Sequence, residues 1–230
     1  MQSFTHELEN EKNSLIGRLR SHSFLQRCRE GNISLGELKL FLLQQGLYSR
    51  NFTKYLCAAM SNLPSNAEIR ILAKNLFEEL GLDARHCRPH HEIYQDMLAR
   101  FSLHLENAQP LPGTVTLINA MLTQCRNPNP SFGLGALCLG AEALVPALYG
   151  DIVAGFLSRG IAKEDLEFFT LHIGCDEEHA AAMSGVMASL AAQAPGETAN
   201  MAAAGRELVE ARLSFFTSIE EASSLAKIAV

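Results

Sequence analysis

The sequence lacks several features that would place it in other classes of protein. Its 230 residues contain no stretch with the polar–apolar alternation of strands, no internal repeat and no low-complexity run. No run approaches the roughly 18 uncharged apolar residues that a membrane span requires. The first 15 residues have no apolar segment of the kind found in secretion signals. We therefore expect a cytoplasmic protein without a membrane partner.

Basic charge and paired cysteines are also scarce. With 19 Lys and Arg against 25 Asp and Glu, the formal net charge is −6, and no basic stripe offsets it, so we expect no nucleic-acid partner. The six cysteines are scattered without a C-x-x-C pair, which favours reduced thiols packed in the core over a disulfide scaffold. The oligomeric state stays open, with a homodimer as one option.

Helical periodicity dominates what is present. Ser34 with Glu37 three residues on makes a capping box, and the helix that it opens is expected to run to about Asn62. Residues 131–158 form one long, very apolar segment, and the glycines within it predict close helix packing rather than high helix propensity. Short connections without a linker predict an all-α protein of roughly eight helices, in a single domain over residues 1–230.

An H-x-x-x-D-x-x-H pattern, formed by His172, Asp176 and His179, lies in the helix predicted from about Lys163 to Ala192. At about 100° per residue, positions i, i+4 and i+7 fall within about 60° of one another, so the three side chains project from one helix face. Two imidazoles and a carboxylate suit iron, zinc or manganese, and Asp-x-x-His is analogous to the acid-x-x-His pair of di-iron bundles. A single histidine would more often be a surface residue, so the interpretation depends on all three.

Glu142 is the only charged residue between Ser131 and Tyr149. A lone carboxylate in so apolar a segment must be paired, protonated or bound to a metal, because burying it alone costs several kcal/mol. Pro146 cannot donate to the carbonyl of Glu142, which predicts a kink there. We interpret Glu142 as a candidate bridging ligand. The alternative is a neutral core glutamate or a charge at the edge of the bundle.

Two further segments offer the carboxylate and imidazole that the helix face lacks. The acids are Glu78 and Glu79 in NLFEELG, and the histidines are His86, His90 and His91. Taken singly, each is more often a surface residue than a ligand, and the residues alone leave the choice open.

Taken in order, NLFEELG, HHEIY, GAEALVP and H-x-x-x-D-x-x-H resemble the haem-oxygenase-like di-iron oxidases and oxygenases. Thiaminase II (the TenA/THI-4 group), pyrroloquinoline-quinone synthase and the Chlamydia death-domain-associating protein are related to that family. The resemblance covers roughly residues 10–220. It implies a haem-oxygenase-like bundle of seven to eight helices that holds two irons instead of a haem. It also implies O2-dependent oxidation of a small organic molecule similar to a fatty acid, an amino acid or an amine.

The resemblance also selects among the candidate ligands. In this family the second acid of N-L-x-[DE]-E binds metal, as does the histidine just before x-[DE]-[LI]-[WY], which favours Glu79 over Glu78 and His90 over His91. The interval between acid and histidine is longer here, so His86 stays the rival of His90. The implied metal ligands are Glu79, His90, Glu142, His172, Asp176 and His179. They would hold two irons, with a manganese–iron pair as the alternative, and O2 would be the co-substrate.

The substrate pocket is expected beside the irons. Polar and aromatic residues of the helix that begins after Ser34 could line it, and an amphipathic core helix is the equal alternative. The candidates are Gln45, Tyr48, Ser49 and Phe52, together with Gln44 and Tyr55.

Three other functions compete with the di-iron oxidase. A thiaminase-II-like hydrolase of the same fold would need a nucleophilic cysteine, for which Cys138 is the candidate, although its apolar neighbours do not lower its pKa. A cofactor-free oxidase resembling pyrroloquinoline-quinone synthase would bind no iron. A non-catalytic interaction protein with a vestigial metal site is the third, because fold does not fix function.

Overall fold

The computed structural model describes residues 2–83, 87–194 and 196–228, without the side chains of residues 2, 3, 175–178 and 226–228. Over these ranges the chain forms eleven α-helices, two short 3-10 turns and no strand. The helices are α1 (Gln2–Arg20), α2 (Ser23–Arg29), α3 (Leu35–Ser49), α4 (Phe52–Met60), α5 (Asn66–Glu79), α6 (His90–Arg100), α7 (Pro112–Cys125), α8 (Pro130–Cys138), α9 (Val145–Leu157), α10 (Glu167–Gln193) and α11 (Glu197–Ile228). The 3-10 turns are Glu142–Leu144 and Lys163–Leu166.

The all-α prediction is confirmed, but the expected helix from Ser34 to Asn62 is two helices in the structure. The predicted capping box is present, since Glu37 N donates to Ser34 Oγ and the Glu37 carboxylate accepts from Ser34 N. Helix α3 nevertheless stops at Ser49. Asn51 Nδ2 donates to the Leu47 carbonyl at 3.1 Å, so a side chain satisfies an acceptor that a continuing helix would have used.

The apolar segment expected as one helix over residues 131–158 is also divided. Helix α8 ends at Cys138, a 3-10 turn begins at Glu142, and α9 starts at Val145. Pro146 lies in the first turn of α9, where its missing N–H costs nothing. The kink predicted at Glu142 is therefore a complete break, which leaves this carboxylate on a turn between two helices.

The glycines of this region allow helices to approach closely, as predicted. A Cβ atom on Gly135 would lie 2.2 Å from the Met201 carbonyl oxygen, and one on Gly140 would lie 2.5 Å from Leu208 Cβ. Helix α11 packs along α7 and α8 at these points. A side chain larger than hydrogen would push the helices apart.

One apolar stretch, Pro130–Leu157, is long enough and apolar enough to cross a membrane, with a mean hydropathy of 1.6. The prediction counted only uncharged apolar runs. It therefore missed this stretch, which Glu142 interrupts. An apolar window of 18 residues within this stretch is 78% buried inside the fold. Such burial is typical of a core segment, and the break between α8 and α9 lies within the stretch.

The packing brings six elements to one place in the bundle. Helix α10 contacts α5, α6, α9 and the 3-10 turn Glu142–Leu144, and α3 packs against α6 and α9. The end of α5, the start of α6 and the start of the turn therefore face the middle of α10. These are the parts of the sequence that carry the candidate ligands.

Candidate metal centre

Glu79, His90 and His172 form a buried cluster of one carboxylate and two imidazoles. Glu79 Oε1 lies 3.1 Å from His90 Nδ1 and 3.8 Å from His172 Nε2. The two imidazole rings meet edge to face, with centroids 4.7 Å apart. All three residues are buried, and one donor atom from each lies within 4.8 Å of the others.

The backbone of α10 fixes the orientation of His172. Its Nδ1 lies 2.7 Å from the Phe168 carbonyl oxygen. A carbonyl only accepts, so Nδ1 carries the hydrogen, and Nε2, which faces Glu79, is the nitrogen that can bind a metal. The Phe168 ring also packs on the imidazole, with centroids 4.0 Å apart. These two contacts orient the His172 ring without a bound metal.

Glu79 is ionised in this setting. Burial alone would raise the pKa of its carboxyl, but the interactions with the His172 and His90 imidazoles outweigh burial and lower the pKa to about 2. A carboxylate that is charged at neutral pH and enclosed by imidazoles is prepared to bind a cation.

A second group of ligand-type side chains surrounds His179. Its Nε2 lies 2.7 Å from Glu78 Oε2, and its Nδ1 lies 3.6 Å from Glu142 Oε2. Asn75 Nδ2 donates to Glu142 Oε1 at 3.0 Å, which orients that carboxylate. The lone acid of the apolar segment therefore faces a histidine of α10, and it is only 2% exposed.

The two groups adjoin each other. His172 and His179 lie on one face of α10, two turns or about 10 Å apart along the axis, and Glu78 and Glu79 are consecutive at the end of α5. Glu79 contacts His172, and Glu78 contacts His179. Helices α5 and α10 therefore contribute to both donor sets, which His90 of α6 and Glu142 of the 3-10 turn complete.

Two of the predicted site residues lie partly or wholly outside the described residues. The side chain of Asp176 is outside the described residues, although its backbone belongs to α10 between His172 and His179. His86 lies in the segment 84–86, which is also outside them. The other predicted ligands all lie in one of the two groups described above.

Glu78 and Asn75 are site residues that the sequence reasoning did not select. Asn75, Glu78 and Glu79 stand at positions i, i+3 and i+4 of α5, and all three are buried. Side chains at this spacing lie on one face of a helix, so the spacing could have indicated Asn75 and Glu78 as site residues. The preference for Glu79 over Glu78 therefore left out a residue that contacts His179.

A metal fits the first cluster by its chemistry and its spacing. Bonds of about 2.0–2.2 Å from imidazole nitrogen and carboxylate oxygen place two ligand atoms of one ion at most about 4.4 Å apart. The donors here lie within 4.8 Å of one another, so a closure of a few tenths of an ångström would bring them onto one ion. Adjacent carboxylates buried with imidazoles also need positive charge nearby, because an isolated buried carboxylate is costly. The donor set suits iron, manganese or zinc.

The predicted pocket residues Gln45, Tyr48, Ser49 and Phe52 line a cavity of about 240 Å³. Metal-type side chains form another part of the same wall: Glu79, His90, Glu142 and His172. The two further candidates lie elsewhere. Gln44 accepts from Thr114 and from the backbone of Leu111, and Tyr55 is buried in the core.

A polar chain crosses the cavity wall. Arg212 Nη1 donates to Gln45 Oε1 at 2.8 Å, and Gln45 Nε2 donates to the Tyr149 hydroxyl oxygen at 3.1 Å. The Tyr149 ring lies edge to face with His172, with centroids 6.2 Å apart. Arg212 was not among the site residues predicted from the sequence. The sequence feature that could have indicated it is its position among Leu208, Phe215 and Phe216 of α11, which are apolar and buried.

Cys138 has no feature of an activated nucleophile. It is buried, and its sulfur lies 3.6 Å from the Ala180 carbonyl oxygen and 3.7 Å from Ser184 Oγ. Burial raises the pKa of its thiol to about 12. A thiol that stays protonated at neutral pH is a poor nucleophile.

Comparison with known proteins agrees with the fold and with the chemistry of these residues. A protein-family model described as iron-containing redox enzyme matches residues 39–213, about three quarters of the chain. No curated protein matches the sequence.

Solved structures of low sequence identity share the fold. A CADD-like protein of unknown function from Nostoc punctiforme has a TM-score of 0.80 and 19% identity, over 96% of this chain and 98% of that chain. A domain of unknown function with a haem oxygenase-like fold from Shewanella denitrificans has a TM-score of 0.82 and 16% identity, over 97% and 94% of the two chains. A TenA homologue from Pseudomonas syringae has a TM-score of 0.78 and 14% identity, over 95% and 93%.

At such identities the structural likeness establishes the fold alone, and the family match carries the functional class. Its span includes Glu79, His90, Glu142, His172 and His179. The chain belongs to the family of iron-containing redox enzymes, and it has the haem-oxygenase-like all-α fold.

Proposed function

We propose that the protein is a non-haem di-iron oxidase or oxygenase that uses O2 to oxidise a small organic molecule. The observation that carries this proposal is the pair of adjacent donor sets between α5 and α10, one around His172 and one around His179. A mononuclear site would need only one of them.

The first iron would be held by Glu79, His90 and His172. The second would be held by His179, Glu78 and Glu142, which lie around one imidazole. Asp176 remains a predicted ligand of this pair. Glu79 and Glu78 are consecutive in α5 and would each bind one of the two irons, and Glu142 would be the candidate ligand shared between them.

When bound, the iron pair would supply the capacity to activate O2 and to withdraw electrons from the substrate. The chain itself contributes orientation and enclosure. The Phe168 carbonyl holds the tautomer of His172, and Asn75 holds the carboxylate of Glu142. Apolar side chains of Leu144, Leu148 and Phe168 line the cavity and limit the access of water to it.

Iron is favoured over zinc because the donors are oxygen-rich and adjoin a cavity, whereas structural zinc sites are closed and commonly contain cysteine. A manganese–iron pair uses the same donors, and metal analysis of the purified protein distinguishes the two compositions. We place this activity in the cytoplasm.

The competing functions have less support from the site. The raised pKa of Cys138 disfavours a thiaminase-II-like hydrolase. A cofactor-free oxidase does not need three carboxylates and three imidazoles buried together, since each adds a cost of burial. A non-catalytic protein does not need a cavity beside them.

The proposal is tested by loading metal-free protein with ferrous iron under anaerobic conditions. We expect two irons per chain and a transient visible absorption band when O2 is admitted. His172→Ala and His179→Ala should each lower the iron content and abolish the band. His104→Ala serves as the matched control, because His104 is exposed, and it should behave as the parent protein. Unchanged iron content in both site variants would refute the ligand assignment.

A further inference from the structure

Arg212 places a buried guanidinium in the wall of the cavity. It is 5% exposed and lies on α11, opposite the metal-type residues of α5 and α10. Its Nη1 donates to Gln45 Oε1, and its guanidinium carbon lies 4.4 Å from the centre of the Tyr48 ring and 5.5 Å from that of Phe215. One amide oxygen and two aromatic faces are its contacts.

This guanidinium differs from two arginines that are bound to the buried carboxylates of Glu37 and Asp151. Arg27 is bonded to Glu37 at 2.7 Å, and Arg29 is bonded to Asp151 at 2.6 Å. Among the side chains that the structure describes, no carboxylate lies within ion-pair distance of Arg212. A guanidinium keeps its charge in a protein, so a buried one without a carboxylate beside it lacks a compensating charge. An anion in the cavity would supply it.

The position of Arg212 relates this anion site to the metal-type cluster. Gln45 connects the guanidinium to the Tyr149 hydroxyl, and the Tyr149 ring contacts His172. An anion at Arg212 and a metal at His172 would therefore lie on the same cavity, with Gln45 and Tyr149 connecting the two positions along its wall.

The rest of the lining limits what else the ligand carries. Two of the described arginines line the cavity, and of these Arg212 is buried whereas Arg50 is exposed. One buried guanidinium suits a single negative charge rather than a phosphate with two. The planar fork of guanidinium matches the two oxygens of a carboxylate. Apolar contacts for the remainder come from Leu19, Leu144, Val145 and Leu148.

We propose that Arg212 anchors the carboxylate of the substrate, and that the substrate is a small organic acid whose remaining part is apolar. The inference rests on the proposed function only in taking the cavity beside the metal cluster as the substrate site. Arg212 is a binding residue in this account. Gln45 holds the guanidinium in place through its amide oxygen.

Binding of straight-chain acids from butanoate to dodecanoate, measured by calorimetry on the metal-free protein, tests the inference without any redox step. At least one acid of the series should bind, and its primary amide should bind about 10- to 100-fold more weakly, as expected for the loss of a charged hydrogen bond. Equal binding of the acid and its amide, or no binding by any acid, would overturn the proposal. This comparison needs no variant, so a folding defect cannot obscure it.

Variants then assign the effect to one side chain. Arg212→Met should lose the preference for acid over amide, whereas Arg212→Lys keeps the charge and should retain part of it. Arg206→Met is the matched control, because Arg206 lies on the same helix, is exposed and pairs with Glu11. A preference for acids that survives in Arg212→Met would overturn the assignment.

Iron content separates this proposal from the broader one. Arg212→Met should still bind iron, since Arg212 is not among the proposed ligands. Acid binding through Arg212 in a protein that takes up no iron would refute the di-iron oxidase and leave the anchor standing. Iron uptake and O2 consumption with no role for Arg212 would refute the anchor alone.

Discussion

His179 Nε2 lies 2.7 Å from Glu78 Oε2, whereas the next residue, Glu79, directs its carboxylate to His90 and His172. Two consecutive side chains at the end of α5 thus divide the candidate site into two halves. This division is the feature that distinguishes a pair of metals from one metal.

The division predicts that the two glutamates are separable. Glu79→Gln should empty the half around His172 and Glu78→Gln the half around His179, because an amide is a much weaker ligand than a carboxylate for a hard cation. Each variant should therefore bind about one iron per chain, measured by elemental analysis after anaerobic loading. Glu92→Gln, on the exposed side of α6, is the control. Loss of both irons from only one of the two variants would show that the halves are not independent.

Cys138 should be dispensable for the reaction. Its thiol is buried and its pKa is raised to about 12, so Cys138→Ala should keep the iron content and the O2 uptake of the parent protein. The expected cost is structural, about 1 kcal/mol in the free energy of unfolding from the lost packing. Abolished turnover with unchanged iron content would instead favour the hydrolase that uses this cysteine.

The close approach of α8 to α11 predicts a strong effect of a single methyl group. Gly135→Ala would place its Cβ 2.2 Å from the Met201 carbonyl oxygen, and we expect a loss of about 3 kcal/mol in the free energy of unfolding. Gly185→Ala is the matched control in α10, where a Cβ meets nothing within 4 Å. That change should stabilise the protein by about 0.5–1 kcal/mol. Urea denaturation of both variants checks the pair, and similar effects would contradict the packing described here.

Glu37 should make the stability of the protein depend on pH. Burial raises the pKa of its carboxyl, but hydrogen bonds from Ser34 and Arg27 outweigh burial, and the pKa is lowered. The stabilisation is therefore present above the unfolded-state pKa of about 4.3 and is lost as the pH falls through the lower folded-state pKa. Glu37→Gln keeps a residue that completes a capping box and removes only the charge.

At pH 7 the free energy of unfolding of the Glu37→Gln variant should be about 2 kcal/mol lower than that of the parent protein. The difference should shrink as the pH is lowered below 4, as followed by denaturant titration at several pH values. A difference that is constant across this range would show that the charge of Glu37 contributes nothing.

Much of the candidate site follows from helical spacing. The placement of His172 and His179 on one face of α10 requires only 3.6 residues per turn, and the burial of Glu142 follows from its apolar neighbours. These arguments use local sequence, and the structure brings both histidines and Glu142 to one place. The all-α fold was accessible for the same reason.

The contacts made by Glu78 and Arg212 depend on tertiary packing instead. The residues alone left the choice between Glu78 and Glu79 open, and the family resemblance favoured Glu79. At the end of α5, however, both glutamates meet histidines. Arg212 is an ordinary charge in a helical sequence until α3 supplies Gln45 and Tyr48 around it. The break between α3 and α4 likewise depends on one side-chain bond from Asn51.

The pairing of two metals is tested most directly by Mössbauer spectroscopy of protein loaded with isotopically enriched iron and then exposed to O2. The account predicts two irons per chain that are magnetically coupled, with the coupled signal absent in His179→Ala. A single uncoupled iron in the parent protein, or iron that binds equally well without His172 and His179, would contradict it.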